Sequence, residues 1–133
     1  MKEITIRSSE RNEVIDVTNQ VKAALKELRA KEGLCVVYVP HTTAGVMISE
    51  NADPDVSRDI LEKLTEIAPY QNRYRHTEGN SDAHIKSVLV GCSVTVPVRN
   101  GELAFGTWQG IFFCEFDGPR TRRAFVQFVA AGM

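Results

Sequence analysis

Apolar and polar positions alternate from Lys2 to Ser8, with Ile4 and Ile6 on one face, which predicts a strand. Ser9 to Asn12 is polar and turn-like, and Val14 to Val17 is apolar again, so the two runs read as a hairpin. Val21, Leu25 and Leu28 then recur at helical spacing behind Thr18, a residue type suited to capping, and Gly33 ends the helix. Gly33 to Val39 is dense in β-branched residues and predicts a buried strand stopped by Pro40. Ala44 to Ser49 predicts another. Asp53-Pro54-Asp55 is a strong helix start, and Val56, Ile60, Leu64 and Ile67 form one stripe, so a helix runs from Pro54 to Ile67.

Pro69 to Gly79 has no clean period and predicts a long loop, a kind of segment that is often functional. Asn80 or Ser81 caps a short helix through Val90, closed by Gly91. Ser93 to Val98 alternates as a strand whose Pro97 points to an edge or a bulge. Asn100-Gly101 signals a tight hairpin. Strands follow at Leu103 to Phe105, Gly110 to Phe116 and Arg122 to Val129. The order lacks a regular βαβα alternation. It predicts a single α+β domain, residues 1–133, with a mostly antiparallel sheet and two or three helices.

Composition narrows the function classes. The chain has 133 residues, 43% hydrophobic and 25% charged, enough for one ordinary core. A net charge of −1 gives no support to a nucleic-acid-coating role. No apolar run approaches the ~20 residues of a membrane span, and the start lacks a signal-peptide pattern, so cytoplasm is the expected compartment. Three cysteines without a CxxC spacing read as reduced core thiols.

The three histidines gather at two polar junctions, His41 in HTTAG and His76 and His84 around EGNSDAH. Imidazoles with carboxylates are usual ligands of divalent ions, so His41, His76 and His84 are candidate metal ligands, with zinc or magnesium as the expected ion. With Glu78 they are also candidate acid–base groups. HTTAG follows a strand and GNSDAH enters a helix, so Thr42, Thr43, Asn80, Ser81 and Asp82 are candidate ligand contacts, with the first turn suited to phosphate. Trp108 and Gln109, between glycines, could line a pocket for a planar ring. Glu115 breaks an apolar run on the face of Ile111 and Phe113, which points to a buried partner or a ligand role. Arg120, Arg122 and Arg123 fit either a phosphate grip or a solvated edge strand.

The stretches HTTAGVMISENADPDVSRDIL and HTEGNSDAHIKSVLVGCSVTVPVRNGELAFGTWQGIFFCEFDGPR resemble the YjbQ family, also named the secondary thiamine-phosphate synthase family. The resemblance covers essentially the whole chain. It implies an α+β fold, a homotrimer, and a polar, metal-binding pocket near subunit contacts. It also implies a side activity, joining a pyrimidine diphosphate to a thiazole phosphate with release of pyrophosphate. Under that activity Trp108 would stack on the pyrimidine and Gln109 would bond its edge. The sequence contains no Walker loop and no multi-carboxylate magnesium motif. Two other functions therefore compete with the transferase: a metal-dependent hydrolase, and a trimer that binds a metal or small molecule without turnover.

Overall fold

A computed structural model describes residues 1–132. The elements are β1 (Lys2–Arg7), β2 (Glu13–Asp16), α1 (Thr18–Glu27), β3 (Gly33–Tyr38), β4 (Ala44–Glu50) and α2 (Pro54–Ile67), then α3 (Ser81–Val90), β5 (Ser93–Arg99), β6 (Glu102–Leu103), β7 (Gln109–Glu115) and β8 (Thr121–Ala130). The strands form two sheets, β1-β8-β3-β5-β6 and β2-β7-β4. Every pairing is antiparallel, so the fold is α+β as the pattern predicts.

The three-stranded sheet is the middle layer. Ile111 and Phe113 of β7 join Val37, Val46, Val126, Val21 and Leu25 in the main core, between the two sheets and α1. Cys114 and Phe116 face the other way, packing with Ala83, Leu61, Leu64 and Val90 of the α2–α3 side. From Gly110 to Glu115, β7 is buried on both faces, which explains its nearly unbroken apolar run. The outer face of the five-stranded sheet keeps Leu34, Tyr38 and Val129 exposed. No helix of the described residues is long and apolar enough to cross a membrane.

The structure corrects several boundaries. β1 and β2 are not a hairpin: β1 pairs with β8 and β2 with β7. The turn between them instead carries the chain from one sheet to the other, held by Ser9 and Glu10 N–H groups donating to Glu13. Thr18 does not cap α1. Asp16 accepts from the Thr18 N–H at 2.9 Å, while the Thr18 hydroxyl accepts from Ile111 N–H of β7 at 2.9 Å. α1 ends at Glu27, where Arg29 turns left-handed at φ 54°, and Gly33 opens β3 instead of ending a helix.

The strand foreseen at Leu103 to Phe105 shrinks to Glu102–Leu103 beyond the Asn100-Gly101 turn, both residues at positive φ. Pro97 lies just past the end of that short partner, which pairs only with Val98 and Arg99, and its carbonyl accepts from Ala104 N–H. β8 is flanked by β1 and β3, so the arginine run is not an edge strand. Cys35 and Cys114 are buried, and burial pushes their thiols up to about 11 and about 12. Cys92 is exposed, against the core reading.

α2 begins as foreseen, with Asp53 accepting from Asp55 N–H at 2.9 Å and Pro54 in the first turn. Asp53→Ala is expected to cost about 1 kcal/mol. A lower urea midpoint at unchanged slope is the check.

Candidate functional site

Both histidine-bearing segments end up at the C-terminal end of β7. The register places Ala44 of β4 opposite Glu115, so HTTAG enters the sheet there. Phe116 N–H donates to Thr43 O at 3.2 Å. The motif's glycine is a close-approach requirement: a Cβ on Gly45 would sit 2.6 Å from the Gly91 carbonyl oxygen. On the other side, Asn80 Nδ2 donates to Asp117 Oδ2 at 2.9 Å and draws the start of α3 to the same place. Gly79 precedes it at φ 80°, which a side chain would resist.

Two buried ionic networks hold this end. In the first, Arg122 of β8 grips Glu115 of β7 through Nε at 2.9 Å and Nη2 at 2.5 Å, with both side chains essentially inaccessible. Arg122 Nη2 also donates to the Thr43 hydroxyl at 2.8 Å and to its carbonyl. Ser8 and the Asp117 N–H complete the Glu115 carboxylate. Burial alone pushes Glu115 up, yet hydrogen bonds from Arg122, Ser8 and Asp117 outweigh it and hold the carboxyl below its ordinary value.

In the second network, Asp82 is fully buried between Arg11 at 3.0 Å and Lys86 at 3.4 Å. Arg11 reaches Asp117 as well, and Arg120 pairs with Asp117 at 3.2 Å. The Arg11 guanidinium stacks 3.9 Å over the Tyr70 ring, tying down the long loop. Three cations thus meet two carboxylates. Thr43, Asp82 and Glu115 are buried in these networks, so they position the site and do not line it. The helical pair Asp82 and Lys86, four apart, was the available signal for the second network. Nothing local marked Arg11.

His76 and His84 meet edge to face, with ring centroids 5.3 Å apart. They line an open cleft of about 380 Å³ with Tyr74, Arg75, Ser81 and Ile85. His76 Nε2 is 3.8 Å from a Glu78 carboxylate oxygen, and Glu78 is 75% exposed. Ser81 Oγ and Asn80 Oδ1 are buried without a partner beside them.

His41 is not in this cleft. Its Nε2 accepts from the Arg123 N–H at 3.1 Å, and burial, then the Arg122 and Arg123 charges, hold its pKa below the ordinary value despite Glu115. Thr42, next to it, is exposed. Among the described residues no three His, Cys, Asp or Glu side chains converge as a metal site. One chain therefore does not present the three-histidine set that the sequence suggests for zinc or magnesium, because His41 is spent on β8.

Trp108 and Gln109 lie at the other end of β7, about 20 Å of strand from Glu115. Trp108 is 61% exposed in a turn, and Gln109 Oε1 accepts from Gly106 N–H. They cannot close on the histidine cleft of their own chain. A separate groove of about 360 Å³ between β2 and α2 is walled by Glu10, Glu13, Asp16, Glu50 and Asp53. Glu13, Asp16 and Asp53 there accept backbone N–H bonds, so its acidity serves turns and helix starts.

A family model described as UPF0047 protein YjbQ-like matches residues 2–131. The chain belongs to the YjbQ-like UPF0047 family. It is 51% identical to a UPF0047 protein of Methanocaldococcus jannaschii, over 93% of this chain and 90% of that one. It is 50% identical to UPF0047 protein YugU of Bacillus subtilis, over 96% and 97%. A crystal structure of a YjbQ/UPF0047 family protein from Clostridium acetobutylicum superposes with a TM-score of 0.94 at 50% identity, covering 97% of this chain and 100% of that one. A hypothetical protein from Aeropyrum pernix gives 0.93 at 36% identity, covering 98% of each.

Glu115→Gln strands the Arg122 charge and is expected to cost about 3–5 kcal/mol at neutral pH. Because the folded carboxyl titrates below its unfolded value, its contribution is present above the ordinary carboxylate range and lost as pH falls through the folded value. Urea melts of both proteins across acidic pH should therefore show the gap between them narrowing on acidification.

Proposed function

We propose that this family member binds a phosphorylated small molecule at the start of α3. There it joins a pyrimidine diphosphate to a thiazole phosphate, releasing pyrophosphate. One observation carries the reading: the buried, unpartnered Ser81 Oγ, a hydroxyl able to donate, shares a cleft with two touching imidazoles at a helix N-terminus. Asn80 spends its amide on Asp117 and makes no side-chain cap bond to α3. A phosphate suits the first turn of a helix, where N–H groups and the dipole favour an anion. The acid already in that turn, Asp82, is neutralised by Arg11 and Lys86 and does not oppose it.

In this reading Ser81 and Arg75 bind the leaving diphosphate, and His84 or His76 supplies a proton to it as the bond to carbon breaks. Glu78, at the rim, places a carboxylate 3.8 Å from His76 Nε2, near enough to attract the imidazole once it is protonated. The reaction belongs in the cytoplasm by the same proposal. The test is pyrophosphate release by the purified protein. Release only when both substrates are present supports the transferase, and His84→Ala should lower it by about 10²-fold. Hydrolysis of the diphosphate alone would favour a hydrolase. Tight binding without product would leave a binding protein.

We also propose a homotrimer. Ile85, Val88 and Leu89 expose an apolar face on α3, with Val88 at 83%, and Leu34 and Val129 stand exposed side by side across β3 and β8. Two different apolar faces suit a ring closed by head-to-tail contacts. Light scattering should give three subunits, and Val88→Asp should lower the mass to one. A wild-type mass of one subunit at micromolar concentration would sink the trimer.

A further inference from the structure

α1 ends in a way that asks for a glycine. Ala30 N–H donates to Leu25 O at 3.0 Å and Arg29 N–H to Lys26 O at 3.1 Å, the paired bonds that close a helix through one left-handed residue. That residue is Arg29, at φ 54°. A side chain resists this conformation, and glycine is its usual occupant. The arginine is not needed as a cap, because backbone N–H groups already satisfy the Ala24, Leu25 and Lys26 carbonyls. A strained residue that its own turn does not require points to a task for its side chain.

Arg29 lines a pocket of about 430 Å³ between the end of α1 and the hairpin of β5 and β6. Lys22 and Lys26 line it too, and their spacing continues one helical face to Arg29. Buried Leu25 and half-buried Leu103 supply apolar lining. Among the described residues none of the three cations has an ion-pair partner. The acids next to this corner in sequence are engaged elsewhere. Glu27 pairs with Lys2 at 2.7 Å, and Glu32 accepts from Asn100 N–H at 2.7 Å. That second bond, with Gly101 N–H donating to Lys31 O at 3.0 Å, fastens the hairpin to the chain after α1, so the walls are joined before anything enters. Glu102 is the one acid in the lining, which leaves a surplus of two positive charges.

We propose that this pocket binds a phosphate monoester with an apolar body, the phosphate held by Lys22, Lys26 and Arg29 and the body lying on Leu25 and Leu103.

A phosphate monoester near neutral pH carries close to two negative charges and offers several acceptor oxygens, which matches the surplus and the donors. The arginine supplies a planar fork and the lysines supply point charges. The pocket shares no residue with the histidine cleft, and α1 and α3 pack on opposite sides of the three-stranded sheet. It is a second site, independent of the reaction proposed at α3.

Amide correlation spectra of the deuterated, ¹⁵N-labelled protein during titration with phenyl phosphate test the proposal. Saturable shifts of Arg29, Ala30, Gly101 and Leu103 are expected. Inorganic phosphate should need about tenfold more to produce them, because it has no body to bury against the two leucines. Arg29→Gly separates binding from folding. It should weaken phenyl phosphate at these residues by about tenfold or more, yet melt no lower than the wild type, because the left-handed turn is relieved. Lys22→Gln, at an exposed helical position, should also weaken binding and leave the Tm unchanged. Absent shifts at Arg29 and Gly101, or unchanged affinity in both variants, would overturn the site. Equal affinity for inorganic and phenyl phosphate would overturn the apolar contact, and a lower Tm for Arg29→Gly would overturn the argument from strain. Shifts of Ser81 and His84 report the histidine cleft separately and should be the same in both variants.

Discussion

The Glu115–Arg122 pair is the joint on which the arrangement depends. One partner belongs to the three-stranded sheet and the other to the five-stranded sheet, and neither has access to water. Desolvating two charges returns little net stability compared with an apolar pair of the same size. What the pair adds is geometric. A guanidinium offers its donors in a planar fork, so it fixes angle as well as distance, and greasy contacts between sheets fix neither so sharply. Spare donors on the same guanidinium reach Thr43, so one residue sets the spacing of the sheets and the path of the HTTAG loop.

That joint explains why the histidines gather without forming one cluster. The last residue of β7 and the turn after it carry Glu115 and Asp117, two residues apart. Glu115 binds the HTTAG side through Arg122, and Asp117 binds the α3 side through Asn80 and Arg11. The two segments become neighbours of one turn, each with its own task. His41 completes a sheet. His76 and His84 pack on each other at a helix start, where backbone donors and a cationic network are already in place.

Much of the fold was legible because its signals are local. The stop at Pro40, the Asp53-Pro54 start, the Asn100-Gly101 turn and the final β-rich run all formed as the residue chemistry dictates. The hairpin between β1 and β2 was misread because a polar turn specifies reversal and not which sheet receives the next strand. Site membership was less legible. Thr43, Asp82 and Glu115 look like site residues in sequence because a polar residue in an apolar run has two explanations, a ligand or a buried partner. The partners, Arg122 and Arg11, lie 7 and 71 positions away from Glu115 and Asp82, and only the fold brings them in. Trp108 stands apart from the histidine cleft of its own chain for a simpler reason: the seven residues of β7 lie between it and the turn that holds the cleft.

The pairing of β1 with β8 joins Lys2 to Val126, nearly the full length of the chain. During synthesis β1 leaves the ribosome with no partner to pair with until almost everything else has been made. β2 waits in the same way for β7, and the main core needs residues from both. The chain must close long loops before those contacts reward it, which makes folding slow relative to helical proteins of this size. Nascent β1, with Ile4 and Ile6 on one face, is thus a strand edge open to wrong partners, and crowded translation is where this protein is most exposed to aggregation.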